Sequence, residues 1–138
     1  MAGIDDDAVE SAFAERLATV AGLPMVQWTT KTPPTEQPFG TLYIRAWVGR
    51  NDEVKKSLGL TVGSGSVYFE VLHSDSDETQ IAAAGVLANA IKNAFPPDDI
   101  LLANPEVRVM KSRRNTVIID SSWRIEPIAV DYEAYSSS

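Results

Sequence analysis

Two octapeptides decide the fold: Thr-Leu-Tyr-Ile-Arg-Ala-Trp-Val at 41–48 and Ser-Val-Tyr-Phe-Glu-Val-Leu-His at 66–73. Both alternate with period two, the signature of a strand with one face on a core. In the first, Leu42, Ile44, Ala46 and Val48 face one way, and Thr41, Tyr43, Arg45 and Trp47 the other. In the second, Val67, Phe69 and Val71 oppose Tyr68, Glu70 and Leu72. The spacing predicts two antiparallel strands. The stretch between them is polar, carries four glycines and has a short apolar patch at Leu58, Leu60 and Val62. It reads as a long β-hairpin arm around 49–66, and connections of that length are usually functional or mobile.

Outward from this pair, helical periodicity appears on both sides. Val9, Phe13, Leu17 and Val20 form one apolar stripe over 5–21. Asp5, Asp6 and Asp7 suit the positive end of that helix, and Gly22 and Pro24 stop it. A second helix is expected over about 76–95, with Ile81, Ala84, Ala88, Ile91 and Phe95 as its stripe. Asp75 or Ser76 can cap it, and Pro96-Pro97 ends it. Between the first helix and the first strand, residues 29–40 hold three prolines and read as an extended crossing segment.

The C-terminal third reads as loop at 98–105, a short strand at 106–111 with Val107 and Val109 inward, and a turn at Arg113-Arg114-Asn115. Strand-like runs follow at 116–120 and 123–132, with Pro127 marking an edge or bulge. The last three serines are expected to fray. The order α, β, β, α, β, β predicts an α+β fold, a mostly antiparallel sheet with two helices packed on one face. At 138 residues with 44% hydrophobic composition the chain is one domain, 1–138, large enough to bury a core without disulfides or metal.

Composition narrows the function classes. Twelve basic against nineteen acidic residues give a net charge of -7, which disfavours wrapping duplex DNA. The absence of cysteine removes thiol chemistry and cysteine metal sites. No run approaches the length of a membrane span, and no membrane partner is expected. The start, Met-Ala-Gly-Ile-Asp-Asp-Asp, has neither the basic residues nor the apolar run of a signal peptide, so the expected setting is the cytoplasm or something assembled there.

Catalytic candidates are few. His73-Ser74-Asp75 offers base, hydroxyl and carboxylate, but neighbours on a strand point to opposite faces, so it reads as a strand end before a helix cap. Asp75, Asp77 and Glu78 lack the glycine and distal glutamate of a calcium loop and read as cap charge. Asp98-Asp99 reads as solvated surface. Gly63-Ser64-Gly65 opens no helix, so it reads as a hinge or bulge in the arm. No metal or cofactor is expected, and the chain is not expected to be an enzyme. Charge, however, is uneven. The first fifteen residues hold five acids and no base, whereas 108–124 hold five bases (Arg108, Lys111, Arg113, Arg114, Arg124) and one acid. That basic stretch is either an ordinary polar turn or a contact for an acidic partner or passing nucleic acid.

The ordered set of segments resembles a phage family. The features are Trp28, Pro33-Pro34 in a crossing segment, Gly65 to Val71 before the second helix, and a last strand led by Trp123 and carrying Pro127. Together they resemble the tail terminator-like proteins of long-tailed phages and prophages, related to the lambda-type tail terminator. That resemblance implies a structural virion protein at the neck end of the tail, assembled in the host cytoplasm. It implies self-association into a ring, usually of six, that caps the tail tube, stops its polymerisation and meets the head connector. DNA passes through without sequence-specific binding, and no chemistry is catalysed. A head-closure or head–tail adaptor subunit and a small ligand-binding domain are the alternatives. The residues expected at subunit or partner contacts are Tyr43, Arg45, Trp47, Leu58, Leu60, Val62, Arg113 and Arg114.

Overall fold

The structure is a computed structural model, and it describes residues 6–28, 42–49, 52–55, 60–74, 77–103, 106–120 and 123–137. Its elements are α1 (Asp6–Leu17), β1 (Val26–Trp28), β2 (Tyr43–Val48), β3 (Asp52–Lys55), β4 (Leu60–Ser74), α2 (Glu78–Ala94), β5 (Ile100–Ala103), β6 (Glu106–Arg114), β7 (Ile118–Asp120) and β8 (Trp123–Ser137). The fold is α+β. One sheet runs in the order β1-β2-β4-β8-β6-β5, with β3 attached to β4 and β7 to β8. All pairs are antiparallel except β1–β2, which is parallel.

The centre is the β4–β8 ladder, unbroken from Leu60↔Ser137 to Ser74↔Trp123. Its alternation assigns every side chain to a face. Val67, Phe69 and Val71 on β4, with Ile128, Val130, Tyr132 and Ala134 on β8, form the helix-covered face. Both helices pack there: Val9, Phe13 and Leu17 of α1 and Ala84, Leu87, Ala88 and Ile91 of α2 share one buried cluster with these strands. Phe13 is its hub. Its ring stacks on Phe95 at 5.1 Å between centroids and meets the edge of Tyr132 at 5.7 Å, while Phe69 stacks on Phe95 at 5.5 Å. Arg16 then ties α1 to the end of α2, donating to the Ala94 carbonyl at 2.9 Å and pairing with Asp99.

Several local readings are corrected. Helix α1 ends at Leu17, earlier than its stripe suggests, because the amides of Thr19 and Val20 turn back three residues to the carbonyls of Arg16 and Leu17. Asp77, and neither Asp75 nor Ser76, caps α2: its carboxylate accepts from the amides of Thr79 at 3.0 Å and Gln80 at 3.2 Å. Asp75 and Ser76 lie outside the described residues, as do the prolines of 29–40. Within the expected β-hairpin arm, β3 pairs with β4 from Asp52↔Ser64 to Lys55↔Thr61. Gly63-Ser64-Gly65 is regular ladder there, neither hinge nor bulge. The expected loop at 98–105 contains β5, and Ser136 and Ser137 pair with Thr61 and Leu60.

Pro127 shows why a proline is tolerated in a central strand. On one side β8 pairs with β4 throughout. On the other, β6 ends at Arg114↔Ile128 and β7 begins at Ile118↔Ile125, so Pro127 stands where the second neighbour changes. Its carbonyl accepts from the Asn115 amide at 3.0 Å. Gly49 marks the matching break between β2 and β3, where a Cβ would come within 2.9 Å of the Ser66 carbonyl and the Tyr68 ring. Both strands flanking the central ladder are therefore broken.

Because Phe13 joins both helices to the sheet, Phe13→Ala should destabilise the fold by about 3–5 kcal/mol, the usual cost of emptying a buried aromatic site. Chemical denaturation followed by far-UV circular dichroism measures it.

Candidate functional site

The face of the sheet away from the helices carries Tyr43, Arg45, Trp47 and Arg113 of the residues singled out by sequence. Their placement follows from register. Arg45 stands opposite Glu70, and Trp47 opposite Tyr68, so the two strands put matching side chains side by side. Arg45 Nε donates to Glu70 Oε1 at 2.9 Å. Trp47 stacks on Tyr68 with centroids 5.4 Å apart, and the Arg45 guanidinium lies 6.0 Å from the Trp47 ring. Across the ladder, Asp131 accepts from Ser66 Oγ at 2.6 Å and from Arg113 at 2.7 Å. Farther along, the Tyr135 hydroxyl donates to Glu133 at 2.8 Å, and Arg108 pairs with Glu106 at 3.2 Å.

This is a ladder of half-buried ion pairs flanking an aromatic stack. Beside the stack lies an open groove of about 620 Å³ lined by Trp47, Tyr68, Glu70, Asn115, Ile118 and Pro127. Ile118 and its neighbour Ile119 are 48% and 59% exposed, unusual for isoleucine on a strand.

The expected contact residues separate into groups. Tyr43 is on this face but fully buried, packed edge-on against Trp123 at 6.2 Å with Leu72 and Ile125. A small second core therefore closes one end of the face. The Tyr43 hydroxyl has no hydrogen-bond partner among the described residues. Burial pushes its pKa above the ordinary value, Arg45 opposes that shift and Glu70 reinforces it. Val62 is half-buried on β4 opposite Val54; Leu60 pairs through its backbone with Ser137, and Leu58 lies outside the described residues.

Arg113 and Arg114 do not form a turn. They end β6 and, as adjacent strand residues, diverge. Arg113 meets Asp131 on the open face, while Arg114 reaches Glu126 at 2.7 Å and Asn89 at 3.0 Å on the helix side. Arg108, Arg113 and Arg114 of this stretch thus hold intramolecular carboxylates. His73 is fully buried, with Nε2 3.1 Å from Glu126 and Nδ1 3.2 Å from the Ser74 carbonyl. It belongs to the Arg114–Glu126 network and does not approach Ser74 as a catalytic array would. Among the described residues no three His, Asp or Glu side chains gather as metal ligands would, and no helix is long and apolar enough to cross a membrane.

Tyr68 and Glu70 were legible once 41–48 was paired with 66–73, because alternation puts them on the face of Trp47 and Arg45. Asp131 and Glu126 were not, since nothing local in 123–135 marks the register with β4 and β6.

No family model matches the chain, and no curated protein matches it. Solved structures do. One chain, which carries no functional name, is 20% identical and superposes with a TM-score of 0.68 over 96% of both chains. A chain from the virion of a native gene transfer agent particle is 15% identical, with a TM-score of 0.54 over 94% of this chain and 95% of that one. At these identities the likeness shows a shared fold along nearly the whole chain.

Two outcomes test the site's energetics. Tyr43→Phe removes a buried hydroxyl without changing packing, so it should be neutral or stabilise by up to about 1 kcal/mol in urea denaturation. Asp131 behaves differently. Burial alone raises its pKa, but the Ser66 and Arg113 hydrogen bonds and the charges of Arg113 and Lys111 outweigh that and hold it below its ordinary 3.8. A carboxyl depressed on folding stabilises above its unfolded value and loses that contribution as pH falls through its folded value. Asp131→Asn should therefore cost about 1 kcal/mol at neutral pH and lose less stability than wild type on acidification below 3.8.

Proposed function

We propose that this chain is a structural subunit of a phage-type virion particle and acts as a tail terminator. It forms a ring on the head-proximal end of the tail tube, halts tube growth and presents the surface that the head connector joins. On this reading it works without catalysis or a cofactor, and its partners are further copies of itself, the tail-tube protein and a head-completion protein. The observation that carries the reading is the sheet face that neither helix covers. An aromatic stack flanked by ion pairs, an open groove and the exposed Ile118 suit a face that another protein subunit buries. The fold shared with a chain of the gene transfer agent virion supports it, as does the ordered resemblance to tail terminators. A net charge of -7 on each subunit suits a ring whose lumen lets DNA slide, since tight phosphate contacts would hold it.

Heterologous contacts, one patch against a different patch of the next copy, close such rings. Trp47→Asp places a charge in the aromatic stack while leaving the helix-covered core untouched. The fold should survive with a loss of no more than about 1–2 kcal/mol. Tails assembled with this variant should be abnormally long and headless in electron micrographs. Tails of normal length joined to heads would contradict the reading.

A further inference from the structure

We infer that β3 of one copy adds as a strand to the open edge formed by β6 and β7 of the next copy, so that the sheet continues from subunit to subunit. The inference rests on the proposed reading of the chain as a self-assembling subunit and names the contact that joins the copies.

The two broken strands create the geometry. At one end of the central ladder the neighbours are β3 beside β4 and β6 with β5 beside β8; at the other they are β2 with β1 beside β4 and β7 beside β8. The short strands β1 and β5 thus cap two diagonal corners. Among the described residues no strand covers the other two corners: the outer edge of β3, and the outer edge of β6 beyond Val109 continuing through β7. Val109 exchanges backbone bonds with Asp98 and Asp99 at 2.8 Å, and past it no strand pairs with that edge among the described residues. An edge of this length invites pairing unless something covers it. Met110, Ile118 and Ile119, all more than two-fifths exposed, lie along it.

Strand direction fits a second copy without inversion. β3 is antiparallel to β4, β4 to β8, and β8 to both β6 and β7. Each subunit therefore contributes four alternating strands between its two open edges. A head-to-tail copy brings its β3 antiparallel to the β6–β7 edge, as a continuing ladder requires. The open corners lie diagonally, so successive copies must stagger along the strands, which is the shear that closes tilted strands into a ring. Charge agrees as well. β3 reads Asp52-Glu53-Val54-Lys55, while the receiving edge includes Lys111.

The chain has no cysteine, so introduced thiols report this contact without background. In Val54→Cys/Ile118→Cys each copy carries one thiol on the donor strand and one on the acceptor edge, both on the sheet face away from the helices. Air oxidation at the highest soluble concentration should then yield disulfide-linked trimers and larger species on non-reducing gels, whereas each single variant stops at dimer. Val54→Cys/Thr116→Cys samples a shifted register. Multimers from either pair, absent from both singles, support strand addition. Multimers seen by light scattering that remain unlinked in both pairs overturn the strand contact and leave the proposed function standing. Protein that is monomeric by light scattering and unlinked in both pairs overturns the strand contact too; tail length in the Trp47→Asp assembly then judges the proposed function separately.

Discussion

Everything in this molecule hangs on the fifteen-residue ladder between β4 and β8. Two strands of that length, paired without a break, fix which residues face the helices and which face away. One-residue slippage would exchange the two sets, placing Glu70 and Asp131 under the helices and Phe69 and Val130 outside. The aromatic hub of Phe13, Phe69, Phe95 and Tyr132 holds the register on one face. The Tyr43–Trp123 contact holds it on the other. The hub is far larger, so the helix side supplies most of the stability and the far side is free to carry polar pairs.

That division of labour connects fold to function. Ion pairs such as Arg45–Glu70 and Arg113–Asp131 add little to the stability of an isolated subunit when they remain solvated. They do settle which side chains are held in place before a partner arrives, and an ordered, half-buried surface loses less entropy on binding than a loose one. The proposed role needs a rigid plate with one finished side and one waiting side, and the sheet has that form.

Much of this was legible in the sequence. The period-two runs at 41–48 and 66–73 and the helical stripes of Phe13 and Ile91 specify an α+β fold with the helices on one side. What stayed hidden depends on long-range pairing. The polar composition of 49–66 does not set the register of its hairpin arm, because β3 is aligned by β4 and the start of β4 by residues 131–137 of β8. Arg113 and Arg114 look like a basic turn because adjacent charges usually are. The strand sends one to Asp131 and the other to Glu126, carboxylates met only through the register with β8. β5 is short, half-exposed and bulged, and it leaves no periodic signal of its own.

The central claim is that the sheet face away from the helices is the surface buried on assembly. Hydroxyl-radical footprinting with mass spectrometry, on free subunits and on completed tails, tests it most directly. The account predicts that Trp47 and Tyr68 lose reactivity in the assembled state while Val86, 72% exposed on α2, keeps it. Unchanged reactivity of Trp47 and Tyr68, with protection falling on α2 instead, would contradict it.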